Sequence, residues 1–405
     1  MRAWYFALFP RKIAAILFSN LLPLYVAYSL GRGAVDVAIV AASTGLTHIP
    51  GSFIWGYLAD KTRKCRFITV SSIVMYSTFM ILFTGAKTLF DLVFLSMLVG
   101  FFGSAIPPIE DILMAEGSSR DEWSEEARSY GIISEIGDLA GLAIGALLLS
   151  LYEHTSLIYL CGYLALSSSI ASLILIEDPI FMVERKIVHL ERSVSNVEKL
   201  SMILEYQDLY GGYVSGYTHL KIAIDPSRSM AFFVAGVLAF TMATDMVFTF
   251  ITIYLCGVLG VPQSVAFIIL LLNEVGSILG YIVFRGVCRA YRSHEGLKNS
   301  AIIRAFLVFT FIPCSYLPHI AASILDTIIL IAIGVFYTLF ALSSRIVRME
   351  ILPEGWMGLY ACVTKIGSIT SMVIGGLIIA QYSFNHLFMV AGILFLASYT
   401  LFNFI

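Results

Sequence analysis

Charge is what this 405-residue chain lacks. Only 13% of its residues are Asp, Glu, Lys or Arg, about half the share in an ordinary soluble domain, whereas 59% are hydrophobic and the mean hydropathy is +0.89. So little charge cannot cover so much apolar surface in water, which excludes a soluble globular fold and implies a polytopic membrane protein. Paired cysteines are also missing. Cys65, Cys161, Cys256, Cys288, Cys314 and Cys362 stand singly, mostly inside apolar runs, at no metal or redox spacing, and read as packing residues with no metal site. No Gly-x-x-x-x-Gly-Lys-Ser/Thr occurs, so a P-loop nucleotide site is excluded. No His-Glu-x-x-His or Gly-x-Ser-x-Gly occurs, and the seven histidines are dispersed, which speaks against an enzyme. No cofactor and no nucleic-acid partner is implied.

Long apolar runs, by contrast, recur throughout. Stretches near 11–30, 35–58, 66–86, 89–115, 127–151, 156–176, 229–257, 262–284, 299–316, 321–346, 355–381 and 385–404 can each cross about 30 Å of hydrocarbon. They predict an all-α fold of twelve transmembrane helices; continuous runs without alternation exclude a membrane β-barrel. Met1–Ser29 has the look of a secretory leader but no clear small-x-small cleavage site, and many equivalent segments follow it, so it reads as the first span. Of the Lys and Arg residues, twenty-two fall on one side of this layout, among them Arg11, Lys12 and Arg304, and the loops of the other side hold only Arg32 and Lys87. That bias predicts cytoplasmic N and C termini in a multi-pass plasma-membrane protein.

The apolar signal stops between spans six and seven. The predicted organisation is therefore a six-helix bundle over 1–176, a cytoplasmic linker over 177–228 and a second six-helix bundle over 229–405. Within the linker, Val183, Ile187, Leu190, Val194, Val197 and Leu204 recur every three or four residues, as in an amphipathic helix lying along the membrane surface. Tyr206, Tyr210, Tyr213 and Tyr217 follow among glycines, either as an aromatic platform or as a loop resting at the interface.

Between spans two and three lies Gly56–Arg66, Gly-Tyr-Leu-Ala-Asp-Lys-Thr-Arg-Lys-Cys-Arg, a charged turn wedged between apolar helices. Gly56, Asp60, Lys61 and Lys64 resemble the signature loop of the major facilitator superfamily of transporters. That family carries glycine three residues after the aspartate, where this chain has Arg63. The resemblance implies two pseudo-symmetric six-helix bundles, a central cavity lined by spans 1, 4, 7 and 10, and halves that meet through spans 2 and 11 and spans 5 and 8. It also implies a small-solute transporter working by alternating access, with Asp60 as a latch against the inner end of span 11 near Gly355–Gly358. Drug–proton antiporters of the family carry an arginine in the middle of span 4; here Gly100–Met114 offers acids and no base.

An internal repeat agrees with two related halves. Tyr130–Leu149 aligns without a gap on Tyr360–Ile379, pairing Tyr130 with Tyr360, Ile136-Gly137 with Ile366-Gly367 and Ile144-Gly145 with Ile374-Gly375. Span 4 aligns on span 10, Gly100 on Gly334 and Glu116 on Glu350. The second copy of the signature loop has decayed, Phe284 standing where Asp60 is in the first. Small-residue stripes run along span 5 (Gly131, Gly137, Gly141, Gly145) and span 11 (Gly367, Ser371, Gly375), suited equally to sliding and to static close packing.

Ionisable groups inside spans cost at least about 2.5–3.5 kcal/mol near the bilayer centre and mark cavities or ion paths. Here they are Glu110, Asp111, Glu116, Glu135, Asp138, Asp245, Glu274, Arg345, Arg348 and Lys365, with Asn20, His48 and Asn273 as polar companions. Glu116, Arg348 and Glu350 lie near helix ends and are read as snorkelling to water. The repeat sets acid against base, Asp111 on Arg345 and Glu135 on Lys365. Asn20, Glu110, Asp111, Asp245 and Arg345 are the expected substrate-cavity residues; Glu135 and Glu274 are the expected proton-coupling pair. Asp138 and Lys365 are further intramembrane charges. Two carboxylates in a poorly hydrated seam cannot both ionise cheaply, so Glu135 and Glu274 either share a proton or are separately solvated at an inner vestibule. The reading is a monomeric secondary transporter of a small solute, coupled to protons and seated in the lipid bilayer. A membrane sensor or scaffold using the linker, and a lipid-modifying enzyme, are the alternatives.

Overall fold

Residues 3–117, 123–178, 226–284, 293–351 and 357–405 are described by a computed structural model. Apolar runs flanked by turn residues form twelve spanning helices, and no strand occurs among the described residues. They are α1 (Ala3–Leu24), α2 (Ala34–Thr62), α3 (Cys65–Leu82), α4 (Leu89–Gly103, resuming as Ile106–Gly117), α5 (Trp123–Leu148) and α6 (His154–Leu175). After the undescribed stretch 179–225 come α7 (Pro226–Gly257), α8 (Gln263–Val283), α9 (Ser293–Cys314), α10 (His319–Ile351), α11 (Met357–Gln381) and α12 (Phe384–Phe402). The amphipathic linker helix and the four linker tyrosines lie outside the described residues.

Packing repeats with a period of six helices. In the first half α1 lies on α5 and α6, α2 on α4, and α3 on α4 and α6; in the second α7 lies on α11 and α12, α8 on α10, and α9 on α10 and α12. The halves meet where α2 packs on α11 and α5 on α8, with α1 brushing α7. The repeat reaches single residues. A Cβ on Gly100 would collide with the Thr44 carbonyl oxygen of α2, and one on Gly334 would collide with the Asn273 carbonyl oxygen of α8. Glycine is required at both equivalent crossings because backbone meets backbone there.

The glycine stripes resolve mainly into packing within each half. Gly137 and Gly141 face Lys12 and Ile13 of α1, and Gly367 faces Leu238 of α7. At the seams, Gly145 meets Phe267 of α8, and Gly376, outside the predicted stripe, meets Ala38 of α2. These contacts lie toward the membrane face away from the termini. There His154 Nε2 and Gln263 Oε1 are 2.8 Å apart, joining the first turns of α6 and α8 across the halves.

Several boundaries differ from expectation. α1 starts at Ala3 rather than 11, so Arg11 and Lys12 lie inside the first span, not before it. α9 starts at Ser293 rather than 299, which puts Arg304 about 16 Å along the helix. It is 1% exposed, so counting it among the charges of a terminal-side loop is corrected.

Candidate functional site

Proline chemistry shapes the wall of the first half. The fourth span breaks at Ser104 and Ala105, just before Ile106-Pro107-Pro108. Pro107 has no N–H, so the Gly103 carbonyl four residues earlier loses its helical donor. The Arg11 guanidinium of α1 supplies one instead, its Nη2 donating to Gly103 O at 2.9 Å, while the same group covers the Tyr76 ring at 5.4 Å.

Beyond the break, Glu110 accepts a hydrogen bond from the Tyr130 hydroxyl of α5. The repeat partner Tyr360 is engaged equivalently from α10. The Arg348 guanidinium lies over its ring at 5.4 Å and bonds its hydroxyl. The reading of Arg348 as a snorkelling helix end is therefore corrected: it is half-buried against Tyr360. Equivalent tyrosines hold an acid in one half and a base in the other.

Four charges gather at the α5–α8 seam. Lys12 Nζ lies 3.3 Å from Asp138 Oδ2, and Glu274 of α8 lies within electrostatic reach of Glu135, Asp138 and Lys12. No direct hydrogen bond joins Glu135 to Glu274 among the described residues; the four groups form one electrostatic cluster spanning both halves. Lys12 is its one ammonium.

A second cluster sits in the other half. Arg304 is enclosed by Phe240 and Phe395, each ring centroid 4.9 Å from its guanidinium carbon, and by Tyr337 at 5.4 Å. Its Nη1 donates to Thr244 Oγ1 at 3.0 Å, and its Nε has no partner. Asp245 lies beside the Ser368 hydroxyl and within electrostatic reach of Lys365 and Arg304. Lys365 is exposed, yet His48 of α2 and Asp245 of α7 both lie within its reach, so its ammonium occupies water-accessible space between α2, α7 and α11. Tyr337 is turned toward the same interior. It is 45% exposed, with Arg304 of α9, Asp245 of α7 and Glu274 of α8 around it, so its exposure is to space enclosed by helices rather than to lipid.

The remaining predicted residues are dispersed along the walls. Asn20 donates to the Ile16 carbonyl of its own helix at 3.0 Å. Asp111 and Arg345 are both exposed toward the terminal side, and Arg345 lies within reach of Tyr281. Among the described residues the ion pairs are Lys12–Asp138 and Arg32–Asp36, and neither includes Arg345.

In the signature loop Arg63 closes α2 at φ +58°, its N–H bonded to the Ala59 carbonyl at 2.9 Å. It is the one described non-glycine residue at positive φ. Arg66 N donates to Asp178 Oδ1 at 2.7 Å, fastening the start of α3 to the end of the first half. Lys61 covers the Tyr57 ring at 5.5 Å. Lys64 precedes α3, and a Cβ on Gly56 would make ordinary contact with Pro108, 3.6 Å away. The Asp60 side chain, residues 352–356 and the first side chains of α11 lie outside the described residues.

Arg11, Lys12, Arg304, Tyr281 and Tyr337 are additions to the predicted site. Asp326 of α10 is another: it is fully buried and accepts from the Tyr254 hydroxyl at 3.2 Å.

A sequence profile described as Major Facilitator Superfamily matches residues 5–358. The chain belongs to this superfamily of membrane transporters. An uncharacterised transporter of the same type from Methanocaldococcus jannaschii is 20% identical over 183 residues, so the chain spans 45% of that relative's length and 45% of its own is matched. Among solved structures, a point mutant of the nucleoside transporter NupG superposes with a TM-score of 0.76 at 13% identity, covering 99% of this chain and 98% of that one. A bacterial homologue of the iron transporter ferroportin, in an inward-facing state, gives 0.69 at 11% identity, covering 99% and 97%. At these identities the likeness is one of fold. This superfamily member is thus a multi-pass integral membrane protein with the helix pairing that its family resemblance implied.

Proposed function

We propose that this superfamily member is a secondary active transporter that moves a small solute by alternating access and couples it to protons at the α5–α8 seam. One observation carries the reading. Glu135, Asp138 and Glu274 face a single ammonium, Lys12, where the halves meet. Intramembrane charges persist only when paired or hydrated, and an excess of carboxylates over cations is most simply neutralised by protons. A rocking motion of α5 against α8 changes hydration there and so loads or releases them. The contact of Gln263 with His154, and of Phe267 with Gly145, belongs in this reading to a state closed on the outer side. Exposed Asp111, Arg345 and Tyr337 then line the path toward the cytoplasm, where both termini lie, in the plasma membrane. Asp60 acts in this scheme as the latch of the opposite state.

The test is solute accumulation in proteoliposomes under an imposed proton gradient. The solute is first selected by thermal stabilisation of the purified protein across sugars, nucleosides, amino acids, organic anions and drugs. Glu135→Gln and Glu274→Gln are expected to keep solute exchange, which needs no net proton movement, and to lose accumulation. Accumulation undiminished in both variants overturns proton coupling at this seam.

A further inference from the structure

The two clusters differ in sign. At the α5–α8 seam carboxylates outnumber cations, and a proton can correct the imbalance. Around Asp245 the opposite holds: Arg304, buried on α9, and Lys365, exposed on α11, share one carboxylate. His48 stands on the far side of Lys365. A guanidinium does not lose its proton in a protein, so an anion is the simplest species that balances this site.

The two cations are not equally available. Arg304 is boxed by Phe240, Phe395 and Tyr337, bonded to Thr244, and has Asp245 as its nearby counter-charge. Lys365 has no ion pair among the described residues and faces enclosed, water-accessible space between the halves. Tyr337, next to Asp245, adds an exposed ring face to the same space. Asp245 lies within reach of both cations, but Arg304 is closed in by rings, so Lys365 is the cation of the cluster that a solute can meet, with Asp245 as its competitor.

We propose that Lys365 binds the anionic group of the solute, so that the transported species is a small organic anion or a compact inorganic one. The Ser368 hydroxyl donates to the Thr364 carbonyl one helical turn back at 3.2 Å and lies beside Asp245, so the charge of Lys365 carries the recognition of the anion. His48 closes the site from α2. This rests on the transporter reading and narrows it: a proton at one seam and an anion at the other travel together with little net charge in the membrane.

Binding by the purified protein in detergent separates this inference from transport itself. The probes are lactate, succinate, benzoate and inorganic phosphate, set against the neutral lactamide and benzamide, and affinity is read by titration calorimetry. At least one anion is expected to bind at least tenfold more tightly than a neutral probe of its shape. Lys365→Gln should weaken that anion by about ten- to hundredfold, the range of one charge-assisted hydrogen bond, and Lys365→Arg should retain most of the affinity. Asp245→Asn removes the competing carboxylate and should tighten anion binding, which keeps the test valid if Lys365→Gln unfolds. No binding by any of the anions, equal binding of the amides, or wild-type affinity in folded Lys365→Gln overturns the inference. Anion binding without vesicle transport overturns the transporter reading and leaves the site standing. Transport that is indifferent to Lys365→Gln does the reverse.

Discussion

Arg11 of α1 donates to the Gly103 carbonyl that Pro107 leaves without a helical donor. One residue therefore lets the fourth span bend without an orphaned acceptor in the membrane. Arg11→Met is expected to lower thermal stability by the equivalent of about 1–3 kcal/mol, the cost of an unsatisfied buried polar group. In a Pro107→Ala background the helix recovers its own amide donor, and the Arg11→Met loss should shrink. Strictly additive losses in the double mutant would break the link between the two residues.

Arg63 holds the left-handed conformation that the family's usual glycine adopts without penalty. Arg63→Gly should therefore be more stable than Arg63→Ala by about 1 kcal/mol, despite glycine's extra freedom in the unfolded chain. The ranking of the two melting temperatures checks it, and an alanine variant as stable as glycine would contradict it.

Tyr130 and Tyr360 are equivalent by repeat and bind opposite charges, Glu110 and Arg348. Tyr130→Phe removes the donor to Glu110 and should cost about 1–3 kcal/mol, recovered in part by Glu110→Gln, which carries no charge to leave unpaired. Tyr360→Phe should cost less, because the ring that Arg348 covers at 5.4 Å remains. Thermal unfolding of these variants decides it; equal losses at the two tyrosines would refute the distinction.

His154 and Gln263 tie the halves at the face away from the termini. Gln263→Ala should loosen that face and raise the labelling rate of a cysteine placed at Ala38, which is buried against Gly376. A labelling rate unchanged by Gln263→Ala would show that the tie does not hold the halves together.

The twelve spans were legible because apolar length is a local signal. Family resemblance then supplied the partners of α2 and α5. Glu135, Glu274 and Asp138 were legible as charges in the wrong solvent. Arg11, Lys12 and Arg304 were missed for one reason: each stands near the start of an apolar stretch whose helix begins well before it, so it was counted with the loop charges. Ring packing around Arg304 hides its cost, and no spacing rule reveals that Phe240, Tyr337 and Phe395 converge from three helices. Arg348 was misjudged because its partner Tyr360 lies on another helix.

The central claim is that solute movement carries protons through the α5–α8 acids. The most direct measurement is the pH of the medium around weakly buffered proteoliposomes when solute is added with no gradient imposed. Wild-type protein should shift that pH in step with solute entry, and Glu274→Gln, in vesicles preloaded with unlabelled solute, should still admit labelled solute by exchange with no pH change. Solute entry with an undiminished pH change in Glu274→Gln, or wild-type entry with none, would contradict the account.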